Sequence, residues 1–158
     1  MNWVYEKFVI TDLESSSAQE AISFLSRSLH QAGYVKDTFE EAVLKREEEY
    51  PTGLPTAGIG VAIPHTDADH VLKPTIAVGV LKKPVIFKEM GYPDSTVNVK
   101  LICVLALEKG GYVELLSKLV ESIQDRTFLL QVCTEQDRSK IAMLFNDKLK
   151  AVQREEAK

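Results

Sequence analysis

The sequence predicts an α/β fold in which one sheet lies between two helical layers. Three observations carry that prediction. β-forming runs and helical periodicities succeed one another along the chain. The stretch 97–107 alternates at first and then turns apolar on both faces, as a central strand covered on two sides must. The last third of the chain holds three helical patterns in succession. With 158 residues, 45% hydrophobic and 27% charged, the chain can bury a core without a metal or disulfide staple.

Val4–Thr11 is rich in β-formers and predicts a strand. Ser15-Ser16-Ser17 offers an N-cap to a helix with Ala18, Ala21, Ile22, Leu25, Leu29 and Ala32 at helical spacing, ended by Gly33. Asp37-Thr38-Phe39-Glu40 reads as a capping box, with the Glu40 acid reaching back to the cap, and opens a second helix through Ala42, Val43 and Leu44 toward Glu49. The stretch 50–60, with three glycines and two prolines, predicts a loop. Val61-Ala62-Ile63 is a short β-forming run stopped by Pro64, and Thr75–Leu81 and Val97–Leu107 are longer ones. The stretch 82–96, with two prolines, a glycine and mixed charge, reads as a connection holding one short edge strand. Leu116, Leu119, Val120 and Ile123 mark the first of the final helices, and Phe128, Leu129 and Val132 the second. Ile141, Leu144 and Phe145 mark the third, capped by Thr134. The expected organisation is a single domain over 1–150 and a frayed tail over 151–158, polar and without an apolar anchor from Gln153 onward.

Composition excludes several classes. Lys plus Arg number 19 against 23 Asp plus Glu, a net charge of -4, which lacks the basic patch of a nucleic-acid binder. No apolar run approaches the ~20 residues that span a bilayer, and Met1–Lys7 lacks the basic start and apolar stretch of a signal peptide. The expectation is a cytoplasmic protein with no direct membrane insertion. Cys103 and Cys133 lie in apolar contexts without CxxC spacing and read as small buried hydrophobes. There is no GxSxG elbow and no GxxxxGK[ST] phosphate loop, which argues against a serine hydrolase and direct ATP use.

Chemistry centres on His65. It follows Pro64 at the end of a β-forming run and starts the polar turn Thr66-Asp67-Ala68-Asp69, and α/β proteins place chemistry at the carboxyl ends of strands. Thr66–Asp69 could open a short helix whose free N–H groups favour an anion near His65. The loop Pro51–Gly58, with Thr52, supplies hydroxyls and backbone amides, and Arg46 ends the helix that leads into it. A nucleophilic histidine, a cation and hydrogen-bond donors form a phosphotransfer constellation. The bland alternative is a turn histidine with a satisfied ring. A metal site built from His65, Asp67, Asp69 and His70 also competes, although histidines at i and i+5 do not share a helix face. Glu47–Glu49 read as a solvated helix face, one of which could orient Arg46, and His30 reads as a surface helix residue.

On Gly60-Val61-Ala62-Ile63-Pro64-His65 the chain resembles the IIA domains of the bacterial phosphotransferase system (PTS), of the fructose/mannitol, or type 2, superfamily. The upstream Arg46-Glu47-Glu48-Glu49-Tyr50-Pro51-Thr52-Gly53 makes it look most like the galactitol-specific branch. The resemblance extends over about 4–150 and implies a three-layer α/β/α sandwich with a mixed β-sheet. It implies that His65, through Nε2, accepts a phosphoryl group from phospho-HPr and donates it to a cysteine of a IIB component, with a membrane IIC downstream and no cofactor or metal. Arg46 would help hold the phosphoryl group. Thr52, Thr66 and His70 are auxiliary candidates. Tyr112 stands where many relatives carry a second active-site histidine. Because two partners must reach the site, a shallow setting with an apolar rim at Leu54, Ile59 and Val71 is expected. The rival functions are a regulatory IIA-like protein that binds a target according to its phosphorylation, and a metal-dependent hydrolase.

Overall fold

Alternation along two long strands divides the core in two. The computed structural model describes residues 2–150 and Val152, except Ala57 and Gly111. The elements are β1 (Val9–Leu13), α1 (Ala18–Gln31), α2 (Phe39–Glu49), β2 (Gly53–Leu54), β3 (Gly60–Ala62), β4 (Thr75–Glu89), β5 (Tyr92–Ala106), α3 (Tyr112–Ile123), α4 (Arg126–Thr134) and α5 (Arg138–Leu149). Ile76, Val78 and Val80 of β4 with Leu101, Cys103 and Leu105 of β5 face α3, α4 and α5, where Leu119, Phe128 and Phe145 complete one core. The intervening Ala77, Leu81, Ile102 and Val104 join Ile22, Leu25 and Leu29 of α1 and Phe39 and Val43 of α2 in the other. Each fully buried Leu or Phe contributes roughly 1.5–3 kcal/mol. The result is an α/β/α sandwich.

The sheet is mixed. β4 pairs with β1 in parallel and with β5 antiparallel, β5 pairs with β3 in parallel, and β3 pairs antiparallel with β2. β2 also touches the far end of β4, where Gly53 meets Glu89. The parallel β3–β5 pair continues past β3 through a bridge between His65 and Leu105, and the Leu105 N–H donates to the Pro64 carbonyl at 2.9 Å. The sheet thereby fixes the backbone on which His65 sits.

Several sequence expectations are corrected. The first strand begins at Val9, because Glu6–Phe8 form a 3-10 turn, with Lys7 Nζ 4.7 Å from the ring centre of Tyr34. The stretch 82–96 is the outer part of a continuous β4–β5 hairpin turning at Met90-Gly91. Pro84 lies in the register irregularity between Val80 and Val85, a position where a strand tolerates proline. Buried Val85, Phe87, Val97 and Val99 alternate with exposed Ile86, Lys88 and Asn98. The capping box does not form: Glu40 instead pairs with Arg27, Nε to Oε1 at 2.6 Å, and Thr38 makes no side-chain cap bond. The guanidinium reaches both Glu40 oxygens, through Nε and Nη2, so the acid is engaged away from the cap. Asp137, not Thr134, caps α5, because the Thr134 hydroxyl already donates to the Leu130 carbonyl within α4. Of the tail, Ala151 and 153–158 lie outside the described residues, whereas Val152 is buried in the first core as an apolar anchor.

β3 lies so close to β5 that Gly60 has no room for a side chain: a Cβ there would run into the Asn98 carbonyl oxygen and sit 2.8 Å from its carbon. Gly60→Ala is expected to cost about 2–3 kcal/mol of unfolding free energy in urea titrations. Gly91→Ala, at a positive φ with open space around it, should cost about 1–2 kcal/mol. A Gly60→Ala loss no larger than that would mean that the β3–β5 contact yields readily.

Candidate functional site

Five segments meet at the carboxyl end of the β3–β5 pair, around a pocket of about 330 Å³. α2 contributes Arg46, the end of β3 contributes His65, and the following turn contributes Thr66–Asp69. The segment after β5 contributes Leu107–Lys109, and the first residue of α3 is Tyr112. This is the crevice beyond strand ends where α/β folds place ligands.

The His65 ring is half-buried, and its Nδ1 lies 2.8 Å from the Ile63 carbonyl oxygen. A carbonyl can only accept, so Nδ1 carries the proton and the Nε2 lone pair is left free. Burial pushes the imidazole below its ordinary 6.5; the Ile63 hydrogen bond opposes this, the Arg46 charge adds to the lowering, and Asp67 opposes it more weakly. The ring is therefore neutral and nucleophilic near neutral pH.

Arg46 stands in the last turn of α2, with its guanidinium carbon 5.3 Å from the ring centre of Tyr50. Among the described residues it forms no ion pair with a carboxylate, so its charge remains available to an anion in the pocket. Lys109 adds a second cation, while Asp67, Asp69 and Glu108 supply negative charge around the same opening.

Thr66 joins this pocket; Thr52 and His70 do not. Thr52 is 5% exposed, and its hydroxyl lies 2.8 Å from Glu47 Oε2 and accepts from the Ile63 N–H at 3.1 Å. The Thr56 hydroxyl donates to the Ile59 carbonyl. The Thr56 hydroxyl thus closes the loop on itself, and the Thr52 hydroxyl joins α2 to the Ile63 backbone; neither belongs to the pocket lining. His70 Nδ1 bonds the Thr38 hydroxyl at 2.7 Å and its carbonyl accepts from the Lys36 N–H, tying it to the segment between α1 and α2. The turn after His65 is a 3-10 turn of three residues, Ala68–His70, too short to present the helical N-terminus expected there. Leu54 and Ile59 pack on one core and Val71 on the other; Ala68, Leu107 and Tyr112 line the pocket in their place. Among the described residues no three His, Cys, Asp or Glu side chains converge as metal ligands. Cys103 is buried and Cys133 half-buried, and burial pushes the Cys133 thiol up to about 11.

The family model "Phosphoenolpyruvate-dependent sugar phosphotransferase system, EIIA 2" matches residues 3–148. The chain belongs to this family. This EIIA chain is 30% identical over 146 residues to multiphosphoryl transfer protein 1 of Escherichia coli K12, covering 89% of the chain and 17% of that protein. It thus spans about one sixth of the length of such relatives. It is 29% identical over 101 residues to the galactitol-specific EIIA component of the same strain, covering 64% and 67% of the two chains. The crystal structure of IIA mannitol from Escherichia coli shares its fold, with a TM-score of 0.73, 22% identity and coverage of 89% and 97%. No helix among the described residues is long and apolar enough to cross a membrane.

Sequence reasoning missed Glu47 in this EIIA chain. Its carboxylate is not a solvated helix-face charge but turns toward Thr52, accepting from the backbone N–H at 2.9 Å and from the hydroxyl. Burial raises it to about 7, and the two Thr52 hydrogen bonds work against that rise. The only signal in the sequence is an acid five residues before a threonine across a helix end. Since the folded value lies above the ordinary 4.5, the folded state keeps a proton that the unfolded chain has already released. The contribution is full below about 4.5 and is lost as pH rises through about 7. Glu47→Gln cannot ionise, so its unfolding free energy relative to wild type should rise between about pH 5 and about pH 8 in urea titrations. A difference independent of pH would assign the titration to other groups.

Proposed function

We propose that the chain is the phosphocarrier IIA component of a sugar or polyol PTS. His65 accepts a phosphoryl group from phospho-HPr and passes it to a IIB cysteine, which serves a membrane IIC. The observation that carries this reading is the imidazole at the pocket, with Nδ1 donating to Ile63 and, among the described residues, no hydrogen-bond partner on Nε2. The Nε2 lone pair attacks phosphorus as the P–N bond of the donor breaks, and the donor imidazole leaves with that electron pair. In the second step a IIB thiolate attacks, a P–S bond forms, and His65 regains its lone pair. The Nδ1 proton stays on the ring throughout, held by the Ile63 carbonyl. Arg46 offsets the charge spread over the phosphoryl oxygens, which is most of what a protein contributes to such transfers. Thr66, which lines the pocket, would donate a further hydrogen bond.

The substrate branch we favour is galactitol or a related polyol. Its support is the 46–53 motif together with Tyr112 at the pocket in place of a second histidine. The relay then runs with one imidazole and a phenol. A regulatory role would share the first transfer and differ in the acceptor, so transfer onward to a IIB protein separates the two.

Incubation with phosphoenolpyruvate, Enzyme I and HPr should add one acid-labile, base-stable phosphate on His65. His65→Ala should abolish it, and His30→Ala, on the exposed end of α1, should not. Labelling that survives in His65→Ala would remove the proposed nucleophile. The rate should fall on acidification with a midpoint below the ordinary 6.5, because the ring is held neutral by burial. Arg46→Ala should slow transfer by about 100-fold while its urea midpoint stays near wild type. Unchanged transfer would exclude a charge-stabilising role.

A further inference from the structure

His65 does not hold its ring alone, because the acceptor that fixes its tautomer is itself fixed from behind. The Ile63 carbonyl takes the Nδ1–H at 2.8 Å, and the N–H of the same residue donates to Thr52 Oγ1 at 3.1 Å. A hydroxyl has one proton to give. Both Glu47 carboxylate oxygens lie within 3.0 Å of Thr52 Oγ1, and Oε1 also takes the Thr52 N–H at 2.9 Å. Where Glu47 is ionised the hydroxyl proton points to it, and in either protonation state a Thr52 Oγ1 lone pair is presented to the Ile63 N–H. Pro64 holds the residue before it in extended backbone, so fixing the Ile63 N–H also aims its carbonyl. The Leu105 N–H closes the other side by donating to the Pro64 carbonyl at 2.9 Å.

We infer that Glu47 and Thr52 are positioning residues that act through Ile63 to set the tautomer and ring placement of His65. Neither lines the pocket, so neither touches the transferred group. Because Glu47 adjoins Arg46 on α2, the same chain of bonds keeps the cation and the imidazole in one rigid unit. The catalytic consequence rests on the proposed function; the effect on the ring does not.

The experiment pairs ring 15N couplings, which report the tautomer of unphosphorylated His65, with the rate of phosphorylation by phospho-HPr. Wild type should be predominantly Nδ1–H. Thr52→Val keeps the shape and deletes the hydroxyl; it should give a mixed tautomer and a rate about tenfold lower, through kcat rather than KM. Thr52→Ser should restore both. Should Thr52→Val not fold, Glu47→Ala decides. It removes both oxygens that orient the Thr52 hydroxyl, so faster exchange of the Ile63 amide and slower phosphorylation are expected. A lowered melting temperature with unchanged tautomer and rate would overturn the inference and leave a purely structural link, as would a wild-type ring that is mainly Nε2–H. Phosphorylation failing in wild type while the couplings respond as expected would sink the functional reading and leave the positioning role standing.

Discussion

The hydrogen bond from His65 Nδ1 to the Ile63 carbonyl is the contact on which the site turns. It decides which ring nitrogen keeps a lone pair, and it ties that choice to backbone rather than to a mobile side chain. The rest of the molecule can be viewed as the scaffold for this one acceptor. The parallel β3–β5 pair sets the height of the strand end, and the glycine at position 60 lets the two backbones approach closely enough to do so. The two apolar cores, one on each face of the sheet, keep β5 in place beneath it.

Electrostatics follow from the same placement. Half-burial of the ring disfavours its cationic form, and Arg46 pushes in the same direction. The guanidinium thus has two effects: it helps keep the imidazole neutral, and it offers positive charge to the pocket. The acids around the opening offset part of that positive charge.

Glu47 illustrates how a charge can be absorbed into structure. A carboxylate in the last turn of a helix is ordinarily solvated, and near the negative end of the dipole it is mildly unfavourable. Here two donors from Thr52 hold it inward despite the desolvation that raises its titration. The arrangement links the end of α2 to the strand that carries His65.

The sequence by itself determined the elements with strong periodicity, namely α1 with its Ser17 cap, the apolar halves of β4 and β5, and the three final helices. It also determined the reactive candidate, because a histidine after Pro64 at a strand end is a local pattern. Tertiary structure decided the rest. The outer β4–β5 hairpin was hidden by Pro84, which is tolerated only because the register shifts there. Glu40 left its cap for Arg27, a partner thirteen positions away in sequence, and Thr52 turned to Glu47 and Ile63 rather than to the pocket. Local patterns fix backbone preference and burial, but which of several polar partners a side chain takes depends on charge and distance across elements, and these exist only once the chain has folded.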